Sequence, residues 1–201
     1  MVGWVYNHID MKSGVKEARK ITSWGRVYFV LAGILFLLAA CEQGTSKPET
    51  KRFVPEGPRV GFRAPGFSIP TLNGNSLDLS NYRGKVIMIN FWATWCGPCR
   101  VEMPSMEDLY SKYGGKNFEI LAVNGGEDRN LVQPFIKNLN LTFPVLLDEQ
   151  FEVHNKYQVT AIPSTFLVDK SGVITHRFFG FTDWANDYSR ELITKLMKAK
   201  S

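Results

Sequence analysis

The chain has 201 residues, of which 44% are hydrophobic and 13% aromatic, and this composition excludes a largely disordered protein. Much of the net charge of +5 lies near the N-terminus. Residues 1–40 carry five basic and two acidic side chains, and the remainder carries 19 basic and 17 acidic side chains. We therefore expect no nucleic-acid partner. Three cysteines are too few for a disulfide scaffold, and no second ligand pair accompanies them, so no metal site is predicted.

Residues 1–40 have the pattern of a signal peptide or membrane-targeting segment. A basic stretch ends at Arg26 and is followed by 14 apolar residues, 27–40, which suit a signal peptide but are short for a membrane-crossing helix of about 20 residues. The run ends in Leu38-Ala39-Ala40-Cys41, which resembles a bacterial lipobox, where the cysteine is lipidated. The alternative is an uncleaved signal anchor. Either pattern predicts an extracytoplasmic, membrane-anchored protein.

The segment after the leader changes composition. Residues 41–59 are rich in Gly, Thr, Ser, Lys, Pro and Glu without apolar periodicity, which predicts a flexible tether. The folded domain is predicted to span residues 60–201. The basic stretch is long for a signal peptide, and the sequence leaves open whether Met1 or Met11 is the start.

The pattern of residues 60–201 predicts an α/β domain. A turn at Asn73-Gly74 predicts a first hairpin, a βαβαβ unit follows, and a second hairpin and a closing helix come last. This order predicts parallel strands joined by helices, with antiparallel strands added at one side. The later predicted strands are 85–92, 118–123, 143–147, 164–168 and 173–179, and the predicted helices are 96–112, 128–139 and 184–198.

Cys96 and Cys99 form a C-x-x-C pair between a buried strand and a helix. At a helix N-terminus, free backbone N–H groups and the helix dipole stabilise a thiolate. The spacing lets Cys99 reach Cys96, and Pro98 suits an early helix position. A structural disulfide or half of a metal site is the alternative, but the strand, the helix and the adjacent Trp95 favour redox chemistry. We predict that Cys96 attacks a substrate disulfide and that Cys99 resolves the mixed disulfide.

The segment Phe91–Cys99 resembles the active-site strand and loop of thioredoxins. Four further segments resemble the membrane-anchored ResA/TlpA branch of thiol–disulfide oxidoreductases, and they are 102–104, 121–124, 143–148 and 162–166. The resemblance extends over about residues 64–181. It implies a thioredoxin-like fold with an N-terminal β-hairpin and a central βα insertion, in which helices flank a mixed sheet. It also implies a cis peptide at Ile162-Pro163, in a loop that binds substrate beside the disulfide.

Substrate contacts are expected from Trp95, Pro98, Ile162 and Pro163. Trp95 can alternatively be a simple packing residue. His154 and His176 are expected at the surface or at a sheet edge, and Phe91 and Trp92 in the core. The Cys96–Cys99 disulfide is expected to be the redox group, with no other cofactor.

Asn90 stands where thioredoxins carry a buried acid, and it cannot accept a proton from Cys99. Glu102, one helical turn beyond Cys99, is the candidate replacement, as in ResA-like proteins. A carboxylate there would raise the thiol pKa values and accept a proton during exchange. The alternative is a solvated glutamate on the helix surface.

The resemblance implies a reductase of exported protein disulfides, such as the C-x-x-C-H sites of apocytochrome c, supplied by a transmembrane thiol donor. An oxidant of the same class is an open alternative. A peroxiredoxin-like peroxidase would require Pro at Ile89 and Thr or Ser at Ala93, and a metallochaperone would require C-x-x-x-C and a suitably placed His. The client and the electron donor are not readable from the sequence.

Overall fold

A computed structural model describes residues 53–199 of the chain. The predictions for the leader and for lipidation at Cys41 lie outside these residues. Within residues 53–199, no helix has both the length and the apolar character needed to cross a membrane. The strands are β1 (Ser68–Pro70), β2 (Ser76–Asp78), β3 (Val86–Trp92), β4 (Phe118–Gly125), β5 (Val145–Asp148), β6 (Ser164–Val168) and β7 (Ile174–Phe179). The helices are α1 (Gly97–Tyr113), α2 (Arg129–Asn138), α3 (Glu152–Lys156) and α4 (Asp187–Lys198), with a 3-10 turn at Leu79–Tyr82.

Five strands form one mixed sheet in the order β5-β4-β3-β6-β7. Strand β3 is parallel to β4 and antiparallel to β6, and β4 is parallel to β5. The β6–β7 pair is the predicted antiparallel hairpin, and Asp169 in its turn accepts hydrogen bonds from the backbone N–H groups of Ser171 and Val173. The separate β1–β2 hairpin attaches beside β5, where the Leu72 N–H donates to the Val145 carbonyl at 2.8 Å.

Strand β3 is buried at all seven positions, and its side chains alternate between two cores. Val86, Met88 and Trp92 face the core formed with α1, α2 and α4. Ile87, Ile89 and Phe91 belong to the other core, with the N-terminal hairpin and α3, as do Phe67, Leu77, Val153 and Tyr157. The even-numbered position Asn90 therefore projects toward the α1 side, where it brings a polar group into the interior.

Two features differ from the sequence-based expectation. Helix α3 was not predicted, because five residues are too few to display a helical period. The closing helix begins at Asp187 rather than at residue 184, since the side chain of Asn186 accepts the Ser189 N–H at 2.8 Å and caps the helix there. Trp184 consequently lies in the preceding loop with its side chain fully buried.

Candidate active site

Cys96 occupies the N-cap position of α1, immediately after the loop that follows β3. Cys96 and Cys99 form a disulfide with their Cα atoms 5.3 Å apart. The backbone N–H of Cys99 donates to the Cys96 sulfur at 3.2 Å. Pro98 falls in the first turn, where its missing N–H is not needed. The sulfur of Cys96 thus sits where the helix N-terminus stabilises a thiolate, as the motif predicts.

The surface around the disulfide is formed by the loop before Cys96 and by the segment before β6. Trp95 is 72% exposed, which excludes a simple packing role, and Pro98 is also exposed. The Ile162-Pro163 peptide bond is cis, as the resemblance implies. Because Ser164 pairs with Phe91 in the sheet, Pro163 lies at the same end of β3 as the cysteine loop. Trp95 and Ile162 line one common pocket.

Glu102 is only 1% exposed, so the alternative of a solvated surface glutamate is wrong. Its Oε1 accepts a 2.6 Å hydrogen bond from the Trp184 indole and a 3.2 Å bond from the Asn90 amide. The same Asn90 nitrogen donates to Thr165 Oγ1 at 2.9 Å. Strand β3 and the loop before α4 therefore fix the carboxyl group one helical turn beyond Cys99, and β6 holds the Asn90 amide in place.

Burial raises the pKa of Glu102 to about 7, although the hydrogen bond from Trp184 favours the charged form and lowers it. Both side-chain donors reach Oε1, which leaves Oε2 as the oxygen that can carry a proton. A carboxyl group that titrates near neutral pH can both accept and release a proton during thiol exchange. The position of Glu102 one helical turn beyond Cys99 is compatible with proton exchange with the cysteines, and this role stays a prediction.

Glu127 is a further residue that organises the site, and its role was not predicted. Its carboxylate accepts the Thr94 backbone N–H at 2.7 Å and also the Thr94 hydroxyl. The Asn124 amide donates to the same carboxylate at 2.7 Å. Glu127 thereby anchors the loop that carries Trp95 and Cys96 to the end of β4. The contact spans 33 residues and leaves no signal in the local sequence.

The expectation that His154 lies at the surface or at an edge is wrong. His154 is 6% exposed and its Nδ1 lies 2.7 Å from Oδ2 of Asp148. The ring packs edge-on against Phe91 and Phe151. It is buried because the unpredicted helix α3 turns it inward beneath the end of β4. His176, by contrast, lies half-buried on the edge strand β7, as expected.

Within residues 53–199, no three His, Cys, Asp or Glu side chains are grouped so that they could hold a metal ion.

Known proteins resemble this chain in sequence and in fold. The model of the AhpC/TSA family matches residues 60–177. The chain belongs to the AhpC/TSA family. It is 45% identical over 133 residues to the thiol-disulfide oxidoreductase ResA of Geobacillus kaustophilus, covering 66% of this chain and 76% of that protein. It is 36% identical over 149 residues to ResA of Bacillus subtilis, covering 74% of this chain and 83% of that protein.

Two solved structures superimpose on the domain. A thioredoxin-family thiol:disulfide interchange protein from Chlorobium tepidum gives a TM-score of 0.60 at 28% identity, covering 67% of this chain and 95% of that chain. StoA from Bacillus subtilis gives a TM-score of 0.55 at 27% identity, covering 65% of this chain and 95% of that chain. The thioredoxin-like fold predicted from the sequence is confirmed, and the chain is a thiol–disulfide oxidoreductase.

Proposed function

We propose that this thiol–disulfide oxidoreductase works as a reductase of disulfides in exported proteins. Cys96 is the attacking thiol, Cys99 the resolving thiol, and Glu102 the group that exchanges a proton with them. The observation that carries the proposal is the arrangement along α1. The N-cap position holds Cys96, the first turn holds Cys99, and a buried carboxyl group with a pKa of about 7 follows one turn later.

The proposed reaction has two exchange steps. The Cys96 thiolate attacks one sulfur of the client disulfide, so that a mixed disulfide forms and the other client sulfur leaves as a thiolate. Glu102 accepts the proton of Cys99, whose thiolate then attacks the Cys96 sulfur. The client leaves with two thiols. Cys96 and Cys99 are left as a disulfide, because the pair has given two electrons to the client. A thiol donor must reduce that disulfide before the next cycle.

Exposed apolar side chains around the disulfide support a polypeptide client. The backbone N–H of Gly180 donates to the Pro163 carbonyl at 2.8 Å, which places its neighbours Phe179 and Phe181 beside the cis-proline loop. These two side chains are 65% and 52% exposed, and Trp95 adds a third exposed ring. Aromatic groups of this kind are enriched where proteins bind other proteins.

The proposed location and partners rest on the leader-like pattern of residues 1–40 and on the resemblance. We propose that lipidation of Cys41 anchors the domain outside the cytoplasm, and that a transmembrane thiol protein supplies the electrons. Apocytochrome c is the proposed client, because the ResA-like proteins that the chain resembles reduce its cysteine pair. The names of the relatives support the chemistry, and the lipobox-like pattern at residues 38–41 supports the anchor.

Client trapping tests the proposal. In the full chain, Cys99→Ser should stall the reaction at the mixed disulfide, so that clients remain bound to Cys96 and can be identified by mass spectrometry after non-reducing purification. Cys96→Ser is the matched control and should trap nothing. Exported proteins with cysteine pairs, apocytochrome c among them, are the expected result. An equal yield from both variants would contradict the assigned roles, and a client set without apocytochrome c would contradict the maturation function.

A peroxidase activity is not favoured. Ile89 and Ala93 occupy the positions where the peroxidase signature requires Pro and Thr or Ser, and both side chains are buried. Turnover of hydrogen peroxide by the reduced protein at a rate comparable with disulfide exchange would overturn this assignment.

A further inference from the structure

A pocket of about 370 Å³ opens beside the redox disulfide. Trp95, the residue before Cys96, and Ile162, the residue before the cis-proline, form part of its lining, and Gly125, Phe151 and His154 form another part. The pocket therefore adjoins both segments that are expected to contact the client. Its volume is near the lower end of the roughly 300–1,000 Å³ that is usual for ligand pockets, which suits a single side chain.

The orientation of the His154 ring is fixed by Asp148. Both the backbone N–H of His154 and its ring Nδ1 bond to Oδ2 of Asp148, at 2.9 Å and 2.7 Å. Burial alone would raise the pKa of Asp148, but the hydrogen bonds from His154 and from the Val153 backbone, together with the electrostatic attraction of His154, hold the pKa below its usual value. Asp148 is thus an acceptor, and Nδ1 carries the hydrogen. In the neutral ring, Nε2 is then a hydrogen-bond acceptor.

The Nε2 atom has no protein partner among the described residues. Within residues 53–199, the ring makes no hydrogen bond other than the one to Asp148. Its Cε1–Nε2 edge lies against Gly125, where an added β-carbon would approach these atoms to 2.5 and 2.6 Å. The side chain of His154 lines the pocket and is more than nine-tenths buried, and its Nε2 is left unpaired by the described residues.

Phe151 completes the wall in a strained backbone conformation. Its φ of 58° is unusual for a bulky residue, and its ring lies over Gly126, where a β-carbon would overlap it. The adjacent glycines 125 and 126 thus make room for the imidazole and the phenyl ring. The pocket combines the aromatic surfaces of Phe151 and Trp95 with the unpaired Nε2 of His154.

We propose that this pocket is a specificity subsite, which binds a tyrosine or tryptophan side chain of the client and accepts its O–H or N–H at Nε2 of His154. The proposal rests on the proposed exchange with polypeptide clients. Aromatic walls favour a flat side chain, and an unpaired acceptor favours one that ends in a donor. Phenylalanine fits the walls but leaves Nε2 unpaired, so the subsite should discriminate between tyrosine and phenylalanine.

The test uses synthetic peptides with one intramolecular disulfide and a single variable residue, tyrosine or phenylalanine, placed at each position beside the cysteines in turn. The reduced full chain should show a kcat/KM about three- to tenfold higher for the tyrosine peptide at one position, as one hydrogen bond provides. His154→Leu should bring the ratio of the two kcat/KM values to about one. His176→Leu, a matched change on the edge strand, should preserve the wild-type ratio.

A second measurement keeps the test decisive if His154→Leu does not fold. In the wild-type chain with ¹⁵N-labelled histidine, the tyrosine peptide should shift the Nε2 resonance of His154, and the phenylalanine peptide should not. A ratio near one at every position, or equal resonance shifts, would overturn the subsite. If neither peptide is reduced but the tyrosine peptide still shifts Nε2, the exchange proposal fails and the subsite stands.

Discussion

The indole nitrogen of Trp184 donates a 2.6 Å hydrogen bond to Oε1 of Glu102, which joins the loop before α4 to the buried acid beyond the cysteine pair. The two residues are 82 positions apart in the chain. Phe178 packs edge-on against the Trp184 ring at a centroid distance of 5.1 Å and helps hold it in place. The protonation of Glu102 therefore depends on a residue that lies outside the cysteine motif.

Trp184→Phe should raise the pKa of Glu102 above its present value of about 7, because the variant loses a donor that stabilises the carboxylate. The expected increase is about one pH unit, the size of one hydrogen bond to a charged group. NMR titration of the ¹³C-labelled Glu102 carboxyl in the oxidised protein measures it. Trp92→Phe is a matched control, since the Trp92 indole nitrogen has no partner within residues 53–199. A shift of equal size in both variants would argue against the hydrogen bond as the cause.

Glu102→Gln should change how the stability of the oxidised protein depends on pH. The folded-state pKa of about 7 lies above the ordinary glutamate value of 4.5, so the folded protein binds this proton more tightly than the unfolded chain. The wild-type free energy of unfolding should therefore fall relative to the variant as pH rises from about 4.5 to 7, by up to about 3 kcal/mol. Denaturant unfolding at several pH values measures the difference. Parallel pH profiles for the two proteins would contradict a raised pKa.

Glu127→Gln should loosen the loop before Cys96. The carboxylate accepts the Thr94 N–H with one oxygen and the Thr94 hydroxyl with the other, whereas an amide has only one oxygen that can accept. We expect a loss of about 2 kcal/mol in stability and roughly tenfold slower exchange with a small disulfide, since slight misplacement of reacting groups slows a reaction. Glu107→Gln is the matched control. Glu107 accepts the Thr142 N–H and hydroxyl in the same way, on the exposed side of α1. Equal effects on the exchange rate in the two variants would show that Glu127 does not position the active-site loop.

Gly125→Ala should destabilise the protein by about 1–3 kcal/mol, because the new methyl group would meet the His154 ring at 2.5 Å. Combining it with His154→Ala should cost less than the sum of the two single changes, since the smaller side chain relieves the overlap. Gly66→Ala, where a β-carbon meets nothing within 4 Å, is the control and should change stability by about 0.5 kcal/mol or less. If the stability loss of the double variant equals the sum of the two single losses, the strain does not come from contact between the new methyl group and the His154 ring.

The sequence predicted the parts of the site that depend on neighbours along the chain. Cys96, Cys99 and Pro98 are readable because a helix N-terminus and a two-residue spacing determine their chemistry. The partners of Glu102 were not readable, since Trp184 and Asn90 reach it from other elements. All seven positions of β3 are buried, so its sequence does not show which face of the sheet each side chain occupies.

Asp148 and His154 illustrate the same limit at shorter range. They are six residues apart, and their pairing depends on the short helix α3 and on Phe151 in a left-handed conformation. Neither feature has a local sequence signal, so His154 resembled an ordinary surface histidine. The Asn186 cap does have a local signal, because Asn is a preferred residue immediately before a helix, but the predicted start at residue 184 missed it.

The reduction potential of the Cys96–Cys99 pair tests the reductase function most directly. The purified full chain would be equilibrated with defined ratios of reduced and oxidised thiol, and its free cysteines counted by alkylation and mass spectrometry. We predict a potential more negative than the glutathione poise of about −220 to −260 mV, so that electrons flow from the protein to its clients. A potential well above that range, near the roughly −120 mV of a strong disulfide oxidant, would contradict the proposed direction of exchange.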